Sequence, residues 1–186
     1  MSKNKKYLDL CKKKKCFDLA GFETEKFNNY PYKKPSSYFN FFWNKYENFK
    51  TKYKINNKEA INNSYNGDAL EIILANLFDR EGFKIEKMDE EIKNVKYVKP
   101  DFLIKGNNKS KFFISAKVSI RERWKQADWE ATKFKKKYPS ARCILIMNDE
   151  REYLGLKSKI NDLFIDDVVL ASSADLDDLI KSIKKA

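Results

Sequence analysis

The sequence predicts an α/β fold in which helices flank a mixed central sheet, preceded by a basic, aromatic, helical N-terminal segment. Two observations support this fold class. From residue 61 onward the order of apolar patterns is helix, three strands, helix, strand, and then more α/β. Before residue 61, lysines are interleaved with aromatic residues that recur at helical spacing. We therefore divide the chain into an N-terminal segment, 1–60, and a core, 61–186.

The N-terminal segment is strongly basic. It holds 15 lysines and 6 acidic residues, whereas the core holds 24 basic and 21 acidic residues. Aromatic residues at spacings of three and four predict one helix with a buried stripe, which consists of Phe39, Phe42, Trp43, Tyr46, Phe49 and Tyr53. Lysines outside this stripe are expected to remain available for an anionic partner such as a phosphate backbone.

The core begins with a helix that is predicted to start near residue 64 and to end before Gly82. The next predicted elements are strands at 83–88, 98–104 and 111–118, a polar helix at 120–138, a strand at 141–147, a strand at 167–172 and a helix at 174–184. The Gly-Asn-Asn turn at 106–108 joins the second and third strands into an antiparallel hairpin.

The composition excludes several classes of site. The chain has 39 Lys+Arg, 27 Asp+Glu and no histidine, for a net charge of +12, so neither a Ser-His-Asp triad nor a His-ligated zinc site can form. Its three cysteines make no CxxC pair, and Met1 is followed by lysines rather than by a long apolar run. We therefore expect a cytoplasmic protein without membrane segments, in which catalysis would depend on carboxylates, lysine, tyrosine or cysteine.

The predicted hairpin brings a carboxylate and a lysine together. With the turn centred near Asn108, Asp101 lies across from about Ser115, and Ser115 and Lys117 project from one face because strand side chains alternate. Asp101 and Lys117 are therefore expected to meet. Such a carboxylate can hold a divalent ion that polarises a phosphoryl group, while the ammonium binds phosphate or helps to activate water.

The pattern Pro100-Asp101, a hairpin, and then Ser115-Ala116-Lys117 resembles the PD-(D/E)XK nuclease superfamily. It departs from the family pattern at Ser115, where an acid is expected. The resemblance implies a PD-(D/E)XK nuclease core with Mg²⁺ as cofactor. Asp101 would then be a metal ligand, and Lys117 would position or activate water near the scissile phosphate.

The segment 117–130, KVSIRERWKQADWE, is similar to the EcoRII/NgoMIV-like branch of the type II restriction endonucleases. In that branch a glutamate on the helix after the hairpin supplies the missing carboxylate. Glu130 stands where the branch carries this displaced glutamate, and Glu71 matches a further active-site acid. The resemblance covers roughly residues 65–150 and implies that 61–186 is the catalytic core.

Glu130 is predicted to lie at the border of the buried face of its helix. That face consists of Trp124, Ala127, Ala131, Phe134 and Tyr138. The alternative for Glu130 is an exposed carboxylate that pairs with Lys133 or Lys137. Asp128 is a rival acid, but it projects about 160 degrees from Glu130, because each helical residue turns ~100 degrees. The preferred metal ligands are Asp101 and Glu130.

Arg121, Glu122 and Arg123 open the same helix. One interpretation is a solvated helix start. The other is base recognition, because an arginine can donate two hydrogen bonds to guanine and a glutamate can accept from cytosine. In the resembling branch this position reads the CC/GG part of sites such as CCGG or CCNGG, so the resemblance implies a DNA target that contains CC:GG.

These residues favour a type II restriction endonuclease, a Mg²⁺-dependent enzyme that cleaves double-stranded DNA at a short palindromic site. A homodimer is expected because a palindrome has two-fold symmetry, and the resemblance implies a partner DNA methyltransferase. Another nuclease of the superfamily, acting in repair or on junctions, would share Asp101 and Lys117 without base-reading arginines. A non-catalytic DNA-binding protein would use only the basic segment 1–60 and would bind without Mg²⁺.

Overall fold

The computed structural model describes residues 29–52, 60–87, 91–106, 108, 110–119 and 123–186. The chain forms two compact units, Met1–Gly82 and Phe83–Ala186, here called the N-terminal unit and the C-terminal unit. The predicted division at residue 60 follows charge and motifs, and it stays a prediction. In the described parts of the chain, no helix combines the length and the apolar character that crossing a membrane requires.

Two described helices, α1 (Pro35–Lys52) and α2 (Ala60–Arg80), belong to the N-terminal unit. The predicted aromatic stripe is buried at its centre, where Phe39, Phe42 and Tyr46 have no exposed surface. Trp43 and Phe49 are half-buried, and Tyr53 lies outside the described residues. The spacing of the aromatic residues therefore predicted the main buried face of α1.

Polar side chains join α1 to α2 within the N-terminal unit. Tyr38, which the stripe did not include, is fully buried, and its hydroxyl donates to Asn76 Oδ1 at 2.7 Å. Asn66 Oδ1 accepts from the Tyr46 hydroxyl at 2.8 Å and from Lys50 Nζ at 3.1 Å. The expectation that every lysine outside the stripe stays available is wrong for Lys50, because its ammonium is buried among these partners.

The apolar face predicted for α2 is confirmed. Its members are all buried, namely Ala69, Leu70, Ile73, Leu74, Leu77 and Phe78. The helix begins at Ala60, earlier than predicted, and ends at Arg80. Gly82 then adopts φ +80°, a left-handed conformation that glycine accepts without strain, and its amide donates to Asp79 O at 3.0 Å.

The C-terminal unit contains one five-stranded sheet with the order β1-β2-β3-β4-β5. Its elements in chain order are β1 (Lys84–Lys87), β2 (Phe102–Lys105), β3 (Lys111–Lys117), α3 (Arg123–Lys137), β4 (Arg142–Met147), α4 (Glu150–Lys157), a 3-10 turn (Ile160–Asp162), β5 (Asp167–Leu170) and α5 (Ala174–Lys185). Strands β1, β2 and β3 pair antiparallel, whereas β3, β4 and β5 pair parallel through helical crossovers. The predicted mixed sheet flanked by helices is confirmed.

One face of the sheet packs against α3. Phe113 of β3 and Phe134 of α3 belong to one buried cluster, with ring centroids 5.0 Å apart. Ala131 and Leu145 lie in the same cluster. Because strand side chains alternate, the β3 residues two and four positions after Phe113 project from this same face, so the face that α3 covers also carries Ser115 and Lys117.

Two features of the C-terminal unit depart from the sequence prediction. Helix α4 was not predicted, although Asp149 caps it by accepting from the Glu152 amide at 2.9 Å, which is the spacing of a capping box. Strand β2 begins at Phe102 rather than at residue 98. Pro100 has no N–H to contribute to a strand ladder, which accounts for the shorter strand.

Candidate active site

The β2–β3 hairpin places a carboxylate opposite a serine. Phe102 pairs with Ile114, so Asp101, one residue before β2, lies across from Ser115, as the turn had predicted. Both side chains are buried, with Asp101 7% exposed and Ser115 3% exposed. The hairpin register therefore places this carboxylate beside the residues of β3.

Three donors converge on one oxygen of Asp101. The Ala116 amide donates to Oδ2 at 2.6 Å, Lys117 Nζ at 2.7 Å and Ser115 Oγ at 3.1 Å. Within the described residues none of the Asp101 hydrogen bonds uses Oδ1. The carboxylate is thus held in one orientation by its strand partner, and the predicted meeting of Asp101 with Lys117 is confirmed.

Helix α3 brings a second carboxylate to the same place. Glu130 is 6% exposed, and its Oε1 accepts from Gln126 Nε2 at 2.9 Å. Burial raises the pKa of Glu130 above its ordinary value, while Gln126 and the positive charge of Lys117 oppose the shift and the negative charge of Asp101 adds to it. Glu130 therefore interacts electrostatically with both hairpin residues.

These side chains line one cavity of about 370 Å³. Its walls are formed by Tyr97, Lys99, Asp101, Ser115, Lys117, Gln126, Ala127 and Glu130. Two carboxylates and an ammonium therefore face a space large enough to admit a phosphate group. The described residues contain no cluster of three or more His, Cys, Asp or Glu side chains suited to a metal ion, so protein carboxylates could supply only part of a coordination shell here.

The alternatives that the sequence left open for the second acid make contacts elsewhere in the described structure. Asp128 Oδ1 accepts from the amides of Phe164 at 2.6 Å and Ile165 at 3.2 Å, so it holds the loop before β5. The pairing of Glu130 with Lys133 or Lys137 is not found. Lys133 lies over the Trp129 ring, and Lys137 donates to a backbone carbonyl at 3.1 Å.

The remaining predicted site residues stay predictions. Arg123 is the exposed first residue of α3, and Arg121 and Glu122 lie outside the described residues. Glu71 is a half-buried residue of α2 in the N-terminal unit, and its part in the site stays a prediction.

Sequence reasoning missed three residues of the cavity wall: Tyr97, Lys99 and Gln126. Gln126 could have been found, because it precedes Glu130 by four residues and side chains at that spacing adjoin on a helix. Tyr97 and Lys99 gave no periodic signal, since they belong to an irregular loop.

Comparison with known proteins gives a likeness of fold. No protein-family model matches the chain, and a search of curated proteins also finds no match. Among solved structures the chain is similar to a restriction endonuclease PspGI–substrate DNA complex, with a TM-score of 0.59 and 23% sequence identity. The match covers 100% of this chain and 82% of that chain. The C-terminal sheet with its flanking helices therefore belongs to a restriction endonuclease-like α/β fold.

Proposed function

We propose that this chain is a type II restriction endonuclease that uses Mg²⁺ to hydrolyse double-stranded DNA at a short palindromic site containing CC:GG. The observation that carries the proposal is the cavity shared by Asp101, Lys117 and Glu130. It is supported by a fold similar to that of a restriction endonuclease whose solved structure is a complex with substrate DNA. The sequence resemblance assigned the same three residues to the site.

The donor chemistry of the cavity fits Mg²⁺. Asp101 and Glu130 would hold the ion, because carboxylate oxygens are the protein ligands that Mg²⁺ prefers. Two carboxylates suffice, since Mg²⁺ commonly keeps several waters and takes further oxygens from substrate phosphates. When bound, it polarises the phosphoryl group and lowers the pKa of water.

Lys117 has the position required for orienting the nucleophile. Its Nζ lies 2.7 Å from Asp101 Oδ2, while its side chain stays 24% exposed toward solvent. An ammonium in this state can exchange part of its contact with Asp101 for a phosphate oxygen or an attacking water. The hydrogen bonds from Ser115 and Ala116 keep Asp101 in place during such an exchange.

Glu130 can take the role of the acid that Ser115 lacks. Its burial favours the neutral carboxyl, whereas a nearby cation favours the carboxylate. The Gln126 amide also stabilises the ionised form. A cation that enters the cavity would therefore offset the cost of ionising Glu130 and make its carboxylate available as a ligand.

Sequence recognition falls to residues 121–123 in this proposal. Arg121, Glu122 and Arg123 follow Lys117 by four to six residues, so a scissile phosphate held at Lys117 would bring adjacent base edges within their reach. Cleavage of both strands of a palindrome favours a homodimer. A methyltransferase that modifies the same site would protect the host DNA.

Digestion of a plasmid of known sequence, followed by sequencing of every end, tests the proposal. Ends are expected only with Mg²⁺, each at or beside a common CC:GG-containing palindrome, and none with an Asp101→Asn variant. Ends without a shared sequence would instead indicate a repair or junction nuclease. DNA binding without any cleavage would indicate a non-catalytic DNA-binding protein.

A further inference from the structure

In the loop before Asp101, each of three buried aliphatic residues is followed directly by an exposed lysine. Its buried members are Ile92, Val95 and Val98, and the residues directly after them are the exposed Lys93, Lys96 and Lys99. The backbone is fixed by hydrogen bonds from Ile92 N to Val98 O at 3.1 Å and from Val95 N to Ile92 O at 2.9 Å. The loop is thus anchored in the core, and its three lysines are exposed to solvent.

Two residues of this loop have left-handed backbone conformations. Asn94 has φ 66° and Tyr97 has φ 65°. Asparagine tolerates this conformation, whereas a bulky aromatic residue adopts it only at a steric cost. Burial of the ring does not offset that cost, because Tyr97 is 71% exposed. Strained residues held by their surroundings cluster at ligand sites.

Tyr97 and Lys99 line the same cavity as Asp101, Lys117 and Glu130. We propose that Tyr97 and Lys99 form a subsite for the nucleotide next to the scissile phosphate. The Tyr97 ring packs against the nucleoside, and Lys99 neutralises its phosphate. This proposal rests on the proposed function, and it explains why an aromatic ring is held exposed beside the carboxylates.

The chemistry of the pair suits a DNA strand. An aromatic ring can pack on the apolar face of a deoxyribose without a sequence requirement, and a lysine ammonium group neutralises a phosphate. Because Tyr97 and Lys99 line the same cavity as Lys117, a strand whose scissile phosphate reaches Lys117 passes within reach of both residues. The subsite therefore adds affinity and alignment, and it carries no part of the sequence reading that is proposed for residues 121–123.

A matched pair of glycine variants tests the ring contact in the full-length chain. Tyr97→Gly and Asn94→Gly both relieve a left-handed residue, and both should melt no lower than the wild type. Binding of a fluorescent duplex is measured by anisotropy without divalent cations. Tyr97→Gly should bind about tenfold more weakly, as expected for loss of one aromatic packing contact, whereas Asn94→Gly and Tyr97→Phe should bind like the wild type.

Three outcomes of this experiment would overturn the ring contact. The first is wild-type affinity for the duplex in Tyr97→Gly. The second is a loss of affinity in Tyr97→Phe as large as that in Tyr97→Gly. The third is an equally large loss in Asn94→Gly, because it would assign the effect to the loop backbone.

A pair of lysine variants tests the phosphate contact. Lys99→Ala should flatten the dependence of log K on log salt by about 0.9, and Lys93→Ala should leave it unchanged; equal slopes in the two variants would overturn the assignment.

The subsite and the proposed function fail in different ways. A wild-type protein that binds duplex DNA, loses affinity in Tyr97→Gly and never cuts with Mg²⁺ contradicts the proposed function and supports the subsite. A wild-type protein that cuts with Mg²⁺, while Tyr97→Gly binds and cuts equally well, contradicts the subsite alone.

Discussion

Replacing Asp101 by Asn should separate the chemical role of this residue from its structural role. Asp101 Oδ2 accepts from the Ala116 amide at 2.6 Å, Lys117 Nζ at 2.7 Å and Ser115 Oγ at 3.1 Å. An Asn side chain keeps one oxygen for these donors but carries no charge for a divalent cation. We therefore expect Asp101→Asn to reduce cleavage by about a thousandfold or more, with DNA binding retained.

The structural cost depends on which donors lose their acceptor. Asp101→Ala leaves the buried Ala116 amide and Ser115 hydroxyl unpaired, at about 1 to 3 kcal/mol for each group that water does not reach. Asp101→Asn loses chiefly the charge contact with Lys117, whose partial exposure limits the cost to about 1 kcal/mol. Each kcal/mol lowers the melting temperature by roughly 2 to 4 °C in a chain of this size.

The assay combines thermal unfolding without metal with plasmid cleavage in Mg²⁺. Asp101→Ala should melt well below Asp101→Asn, yet both should fail to cut. Ser115→Ala is the matched control, because it removes one of the three hydrogen bonds on the carboxylate and no charge, so cleavage should stay within about tenfold of the wild type. Asp101→Asn cleaving at a rate near that of the wild type would refute the metal-ligand assignment.

Three further predictions concern other residues. Glu130→Gln should have a higher melting temperature than the wild type at pH 7 and the same melting temperature below pH 4.5, the ordinary pKa of Glu. The reason is that burial raises the pKa of Glu130, so its ionisation costs stability as the pH rises. The same difference in melting temperature at both pH values would contradict this. Arg123→Ala should lose about 1 to 3 kcal/mol of discrimination between the cut site and a site with one changed base pair, seen as a fall in the ratio of their cleavage rates. Replacing the exposed Lys33 and Lys34 by Ala should weaken binding to any duplex and flatten the salt dependence by about 0.9 per lost phosphate contact, and unchanged binding would restrict these lysines to a structural surface.

The hairpin could be predicted because its signals are local. A Gly-Asn-Asn turn and the two-residue period of the strands fix the register, and the observed pairing of Phe102 with Ile114 places Asp101 opposite Ser115, as expected. The buried face of α2 followed from helical spacing, as did Ala127, Ala131 and Phe134 of α3, whereas Trp124 and Tyr138 of the predicted α3 face are only partly buried. Helix α4 was missed because only Leu156 of its residues is buried, so it lacks the apolar stripe on which the prediction depended.

The loop that carries Tyr97 could not be predicted for a different reason. Its conformation depends on the packing of Ile92, Val95 and Val98 against α3 residues that are distant in the sequence. It also depends on the left-handed backbone of Tyr97, which no turn-forming residue type at that position indicates. The sequence marks Asp101 by its motif, but it does not indicate which residues will surround the cavity. Three of the eight cavity-wall residues, Tyr97, Lys99 and Gln126, therefore became visible only in the folded chain.

The choice between Asp128 and Glu130 shows how the contacts of a carboxylate indicate its role. Asp128 accepts from two backbone amides and Asp166 from the Cys143 amide and Lys135, so each of these carboxylates stabilises a loop or strand end. Glu130 is more buried than either, yet within the described residues its hydrogen bond comes from a neutral amide. Burial raises the pKa of Glu130, so ionising this side chain costs more free energy in the folded chain than in water. A side chain that costs stability when ionised, placed beside Asp101 and Lys117, is the feature on which the proposed cation-binding role of Glu130 rests, because packing alone would favour an apolar residue there.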